Sequence, residues 1–121
     1  MSVRRAERVG QEIRDEIATM IGRDLKDPRI GFVTVTRVDL TPDLRFARVY
    51  VSVFGDKAAQ DKSLEGLKQA TGFVRREVGR RLRMRLTPEV LFIYDKGVDA
   101  TDRVARLLEE VKAAPASDDE E

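Results

Sequence analysis

The chain has 121 residues, 41% hydrophobic and 37% charged, which fits one soluble globular domain built around a single core. It contains no cysteine and no histidine, which excludes disulfides, thiolate metal sites, cysteine nucleophiles and imidazole acid–base chemistry. Because the N-terminal residues are charged throughout and no stretch is long and apolar enough to span a bilayer, we expect a cytoplasmic protein.

The first predicted element is an amphipathic helix. Its apolar residues recur at spacings of three and four, as the inner face of a helix requires: Val9, Ile13, Ile17, Met20 and Ile21. We expect this helix to end before Lys26–Arg29, because Pro28 disfavours helical geometry at the residue that precedes it.

Two strands follow and form a predicted antiparallel hairpin. The first lies within Phe32–Val38, which is rich in β-branched residues, and the second within Phe46–Phe54. Pro42 and Asp43 supply the turn between them. Strict alternation in the second strand predicts an inner face of Ala47, Val49, Val51 and Val53, and an outer face of Phe46, Arg48, Tyr50 and Ser52. Phe46 and Tyr50 either stack on bases or pack under a neighbouring helix, and packing is the more common role.

The second half of the chain predicts a helix, a kink and another helix, then a strand. Leu64 and Leu67 begin a helical pattern, which Thr71 and Gly72 interrupt, and the pattern resumes in Val74, Val78 and Leu82. The apolar run 90–94 predicts a buried third strand. A last helix has the inner face Ala100, Val104, Leu107, Leu108 and Val111. We expect a domain over residues 1–112 and a disordered acidic tail over 113–121.

The strongest functional signal is a basic run near the middle of the second half. Residues 75–85 contain one glutamate and six arginines: Arg75, Arg76, Arg80, Arg81, Arg83 and Arg85. On one continuous helix, Arg76, Arg80 and Arg83 would form a ridge opposite the apolar stripe, suited to the phosphates of a nucleic acid. The alternative is a solvated face paired with acids elsewhere, which the lack of acids nearby in the sequence disfavours.

A second basic cluster, at the start of the first helix, consists of Arg4, Arg5 and Arg8. Cations at a helix N-terminus oppose the helix dipole, so they indicate either an external anionic partner or simple solubility.

The junction between the two central helices is Ala70, Thr71 and Gly72. It is either a plain turn or a place where backbone amides meet an anion. We expect Gly72 to need left-handed backbone geometry and Thr71 to cap the second helix.

The acidic residues offer no catalytic or metal-binding pattern. Those beside turns and predicted helix starts are better explained as caps: Asp39, Asp43, Asp95, Asp99 and Asp102. We therefore expect no enzymatic activity, metal or cofactor.

The order helix, strand, strand, helix, kink, helix, strand resembles a type II KH domain, an α+β RNA-binding module. Four local segments are more specific: Leu25–Gly31, Val49–Val53, Ala70–Arg75, and Leu86–Glu89 with Phe92, Tyr94 and Asp95. They are similar to the bacterial ribosome-binding factor A family, and the likeness extends from about residue 5 to 108.

This resemblance implies a monomeric, non-catalytic assembly factor. Such a factor binds the free small ribosomal subunit (30S) and supports late maturation and processing of 16S rRNA. In that family Ala-x-Gly replaces the GXXG loop of KH domains, which would make the arginine-rich segment the main contact with folded rRNA. Two other classes stay open on the residues alone: an unrelated nucleic-acid-binding regulator and a metal-dependent nuclease.

Removing residues 113–121 is expected to leave folding and binding intact. The segment has no apolar face to bury, and its four acids repel RNA. Thermal unfolding of the truncated chain checks this, and a large drop in melting temperature would show that the segment packs on the domain.

Overall fold

A computed structural model describes residues 3–96 of the chain. Helix α1 (Val3–Arg23) is followed by strands β1 (Val33–Leu40) and β2 (Phe46–Val53), helices α2 (Lys57–Gln69) and α3 (Thr71–Arg81), and strand β3 (Glu89–Tyr94). The predicted order of elements and the α+β class are confirmed in this range. The predicted last helix and the acidic tail lie outside the described residues.

The three strands form one sheet in the order β1-β2-β3. β1 pairs with β2 antiparallel through the predicted hairpin, with a bulge at Thr36. β2 pairs with β3 in parallel, so that Val49 lies opposite Phe92. A parallel pair needs a long crossover, and α2 and α3 provide it.

The core lies between the helices and one face of the sheet. Alternation along β2 buries the predicted inner face, Ala47, Val49, Val51 and Val53, to 5% exposure or less. From α1, Ile13, Ile17 and Met20 are fully buried against this face, as are Leu67 of α2 and Val74 and Val78 of α3. The amphipathic patterns that predicted the helices are therefore the patterns that build the core.

The predicted third strand is confirmed, but it is buried on one face only. β3 pairs only with β2 among the described strands, and the helices cover one face of the sheet. Val90 and Phe92 are buried, whereas Leu91 points to the other face and is 54% exposed. An uninterrupted apolar run concealed this alternation in the sequence.

The predicted ridge of Arg76, Arg80 and Arg83 on one continuous helix is wrong, because α3 ends at Arg81. Arg81 fastens this end of α3 to α1. Its guanidinium lies 2.8 Å from Asp24 Oδ2, 3.0 Å from Glu77 Oε1 and 3.4 Å from Glu16 Oε1, and the side chain is only 21% exposed. The hydrogen bond to Asp24 is the main cause that raises the pKa of Arg81.

Replacing Arg81 with glutamine is expected to lower the melting temperature, because three carboxylates lose their shared cation. Arg76→Gln is the matched control on the same helix, because the Arg76 side chain forms no hydrogen bond or ion pair with residues 3–96. Thermal unfolding of the two variants at neutral pH tests the difference, and equal melting temperatures would contradict it.

The effect of Arg81→Gln should also depend on pH. The hydrogen bonds from Arg80 and Arg81 hold the pKa of Glu77 below its usual value. A lowered carboxylate pKa contributes stability that is present above the usual pKa and lost as the pH falls through the lowered one. The gap in melting temperature between wild type and Arg81→Gln should therefore close in acid.

Candidate nucleic-acid interface

A groove of about 740 Å³ opens where three segments meet: the N-terminal half of α1, the β1–β2 turn and the connection between α3 and β3. Four arginines line it: Arg5, Arg45, Arg83 and Arg85. We call this site the arginine groove. Its other lining residues include Val9, Leu44, Phe46, Leu82, Met84 and Leu86, and the acids Glu12, Asp43 and Glu89.

The wall that carries Arg83 is formed by the way α3 ends. Leu82 caps the helix, and Arg83 adopts a left-handed backbone with a φ of 54°. The N–H of Met84 donates to the Gly79 carbonyl at 2.9 Å, and the N–H of Arg83 donates to the Arg80 carbonyl at 3.3 Å. These bonds form a Schellman motif, which reverses the chain at a helix C-terminus.

The connection then runs back across α3 at Gly79. A side chain at Gly79 would collide with the Thr87 hydroxyl, so only glycine permits this close approach. Arg75 fixes the same segment from the side. Its Nε donates to the Pro88 carbonyl at 3.0 Å and one terminal nitrogen donates to the Thr87 carbonyl at 3.2 Å. Arg75 is therefore a scaffold for the groove wall.

The opposite wall comes from the hairpin turn. The Leu44 N–H donates to the Thr41 carbonyl at 2.7 Å, and Leu44 has a left-handed φ of 62°. Asp43 accepts from the Thr41 hydroxyl at 2.7 Å and from the Arg45 N–H at 3.1 Å, and these bonds lower the pKa of Asp43. The turn thereby carries Arg45 to the groove.

The structure divides the six arginines of the basic run into two groups, according to whether they have partners in the protein. Arg75 and Arg81 hold the fold together, and Arg80 lies 2.6 Å from Glu77 Oε1. The side chains of Arg76, Arg83 and Arg85 form no hydrogen bond or ion pair with residues 3–96. The expectation of a basic run without acidic partners is thus wrong for three of its arginines, because acids distant in sequence or one turn away reach them.

The N-terminal cluster is divided in a similar way. Arg5 lines the groove, whereas Arg4 and Arg8 are exposed on α1 outside its lining. Arg45 is a groove residue that sequence reasoning missed. A lone arginine in a polar turn gives no signal of its own, and only the position of the folded hairpin brings it beside Arg83 and Arg85.

The junction at Ala70 is a one-residue kink. The Ala70 N–H donates to the carbonyls of Gly66 and Leu67, each at 3.1 Å, and the Ala70 carbonyl accepts from the Val74 N–H at 2.9 Å. The Thr71 hydroxyl donates back to the Leu67 carbonyl at 3.2 Å, so the expectation that it caps α3 is wrong.

Gly72 lies exposed in the first turn of α3 and does not have a positive φ. A Cβ at Gly72 would meet nothing closer than the Arg76 guanidinium at 3.6 Å. The expectation of left-handed geometry at this glycine is therefore wrong.

The outer face of β2 is not covered by a helix in the described part of the chain. Phe46 is 54% exposed at the edge of the arginine groove. Tyr50 is half-buried by Arg37, whose guanidinium carbon lies 3.9 Å from the ring centre. Neither aromatic packs under α1, α2 or α3, because these three helices pack against the other face of the sheet.

The predicted caps have different roles where they are described: Asp43 stabilises its own turn, whereas Asp39 and Asp95 contact side chains of β1. Asp39 pairs with Arg37 at 3.3 Å, and the buried Asp95 accepts from the Thr36 hydroxyl at 2.6 Å. Asp99 and Asp102 lie outside the described residues. Between residues 3 and 96 there is no group of three or more acidic side chains placed to hold a metal ion. Nor does this range contain a helix with the length and apolar character that crossing a membrane requires.

The chain is similar to known proteins along most of its length. Residues 5–108 match the family described as ribosome-binding factor A. Ribosome-binding factor A of Halothermothrix orenii is 45% identical over 121 residues, which cover 100% of this chain and 99% of the relative.

Solved structures agree with the sequence match. The crystal structure of ribosome-binding factor A from Thermus thermophilus has a TM-score of 0.65 and 28% identity, and the match covers 74% of this chain and 94% of that one. A homology model of the T. thermophilus factor, fitted into a cryo-EM map of its complex with the 30S subunit, has a TM-score of 0.64 and 27% identity, and the match covers 75% of this chain and 96% of that one. The extent of these matches, together with the shared fold, shows that this chain belongs to the ribosome-binding factor A family.

Proposed function

We propose that this protein is a non-catalytic assembly factor that binds free 30S subunits through 16S rRNA and supports the late maturation and processing of that RNA. It acts in the cytoplasm as a monomer with a type II KH-like domain. The T. thermophilus relative fitted into a 30S complex supports the choice of partner. For the mode of contact, the supporting observation is the set of arginines without a partner among residues 3–96: Arg76, Arg83 and Arg85.

An exposed arginine without a carboxylate partner gains most from an external anion. A phosphate backbone offers regularly spaced anions, and contact with it releases condensed counterions. Arginine also binds phosphate through two parallel hydrogen bonds, which fixes orientation as well as charge. By contrast, Arg75 and Arg81 already use their donors on carbonyl and carboxylate oxygens of the protein. Only some of the basic residues are therefore proposed to contact rRNA.

The other predicted basic residues have supporting roles in this proposal. Arg5 contributes from α1 to the groove, while Arg4 and Arg8 add positive potential beside it. Arg80 has a carboxylate partner in Glu77, so it contributes less net charge to an RNA contact. At the kink, Ala70, Thr71 and Gly72 set the direction of α3 and do not clamp a single strand. Thr71 supports this, because its hydroxyl is bonded to α2.

Sedimentation of a cell extract tests the partner directly. The proposal places the protein with free 30S particles and not with 70S ribosomes or polysomes. Its absence from 30S fractions under native salt would contradict the proposed function. Competition with duplex DNA separates it from a general nucleic-acid binder, because duplex DNA should not displace the protein from purified 30S subunits.

Changing Arg76, Arg83 and Arg85 together to glutamine is expected to weaken 30S binding and to flatten its salt dependence. Each lost phosphate contact lowers the slope of log affinity against log salt by roughly 0.7 to 0.9. Stability should change little, since substitutions of unpaired surface residues usually stay within about 0.5 kcal/mol. The measurement is the 30S affinity across a series of salt concentrations.

The matched control changes Lys26, Lys62 and Lys68 to glutamine, which removes the same charge from exposed side chains that form no ion pair with residues 3–96 and lie outside the groove lining. This control should bind 30S with nearly the wild-type salt slope. An unchanged slope in the folded arginine variant, or an equal loss in both variants, would remove the specific arginine contact from the mechanism.

A further inference from the structure

Both non-glycine residues with a left-handed backbone in the described range line the arginine groove. They are Leu44, in the β1–β2 turn, and Arg83, in the α3–β3 connection. This conformation brings Cβ close to the backbone and is unfavourable for residues other than glycine, asparagine and aspartate. Strained residues gather where function holds them in place, and here two separate segments place them in one groove.

Arg83 occupies a position that glycine normally fills. It is the residue after the cap in the Schellman motif, where the bonds from Met84 to Gly79 and from Arg83 to Arg80 reverse the chain. Glycine would make the same backbone bonds without the crowding of a Cβ. The arginine therefore does not improve the turn. Its remaining effect is to place a guanidinium in the groove.

The groove offers a contact for each of the two parts of an RNA strand, its phosphates and its bases. Arg45, Arg83 and Arg85 supply donors for phosphate oxygens, and Phe46 and Leu86 are 54% and 77% exposed beside them. An exposed aromatic ring stacks on the face of any base. A volume of about 740 Å³ lies within the usual range for pockets that enclose a small organic ligand, so one or two nucleotides fit.

Three carboxylates also line the groove, and two of them have partners inside the protein. Asp43 accepts from the Thr41 hydroxyl and the Arg45 N–H, and Glu89 Oε2 lies 3.6 Å from an Arg75 nitrogen. Glu12, on the exposed side of α1, is the third. The lining has four arginines and three acids, two of which are already bonded to other groups of the protein, so the groove favours an anionic ligand.

We propose that the arginine groove binds one or two nucleotides of a single-stranded RNA segment, with phosphates on Arg83 and Arg85 and a base against Phe46. The left-handed backbone at Arg83 lowers stability, but a side chain at this position places a guanidinium in the groove and so strengthens RNA binding. This inference rests on the proposed function, since the RNA segment belongs to the 30S subunit. It also moves single-strand binding away from the kink to the opposite end of α3.

The test is Arg83→Gly, measured by thermal unfolding and by the affinity for a fluorescent oligoadenylate RNA. The melting temperature should rise, because the backbone strain is relieved. The affinity for the oligomer should fall about tenfold, which matches the loss of a charge-assisted contact worth about 1.4 kcal/mol.

Leu44→Gly is the matched control. It relieves the same strain without removing a charge, so it should raise the melting temperature. The control for binding is Lys62→Gln, which removes a charge outside the groove lining and should leave oligomer affinity nearly unchanged. Arg83→Lys keeps both the charge and the strain, and it should bind with intermediate affinity at an unchanged melting temperature. A folded Arg83→Gly variant that binds the oligomer as tightly as wild type would overturn the proposal, as would a lower melting temperature.

Two further measurements separate this inference from the proposed function. If purified 30S subunits bind wild type and Arg83→Gly equally, the groove proposal is wrong and the 30S function stands. If wild type binds the oligomer through Arg83 but not 30S subunits, the groove stands as an RNA site and the proposed function fails. If a blunt RNA duplex competes as well as the single strand, the assignment to single-stranded RNA is wrong.

Discussion

Thr87 can lie against the backbone of α3 because Gly79 has no side chain there. That close approach lets the chain leave α3, reverse at Arg83 and enter β3 after the short connection 82–88. Gly79 also provides the carbonyl that accepts from Met84 and closes the turn. The parallel pairing of β3 with β2, the wall of the arginine groove and the direction of Arg83 all depend on this one crossing.

The arginines of the basic run contribute in two different physical ways. Arg75 and Arg81 act inside the fold, where the planar guanidinium satisfies several oxygens at once, carbonyls in one case and carboxylates in the other. Arg76, Arg83 and Arg85 have no such partners in the described residues, so their charge is available to a ligand. Composition does not distinguish these two groups. Neutralising Arg75 or Arg81 should lower stability, whereas neutralising Arg76, Arg83 or Arg85 should weaken binding and leave stability nearly unchanged.

The elements were predictable where a repeating pattern determines them. The stripe in α1 and the alternation in β2 identified the residues that form the core, and Pro28 and Pro42 marked chain reversals between elements. The end of α3 was not predictable in the same way. In a sequence, glycine is the usual signal of a Schellman turn, whereas an arginine at that position predicts that the helix continues. The outward direction of Leu91 was hidden because its neighbours in β3 are also apolar.

The candidate site was only partly predictable for a related reason. Sequence proximity grouped the arginines, but pairing depends on which acids the fold brings near. Glu16 and Asp24 approach Arg81 from distant positions in the chain, 65 and 57 residues away. Arg45 reaches the groove only because the hairpin ends beside the α3–β3 connection. Gly72 was misleading, because it lies in the first turn of α3 and does not adopt a left-handed conformation.

Structural and proposed RNA-binding arginines coexist in one basic run, and chemical footprinting can distinguish the two kinds residue by residue. Phenylglyoxal modifies accessible guanidinium groups, and mass spectrometry reports the extent at each residue. We expect Arg76, Arg83 and Arg85 to react readily in the free protein and to become protected on binding to 30S subunits. Arg81 should react slowly in both states, because three carboxylates surround it. Unprotected Arg83 and Arg85 in the 30S complex would contradict the account.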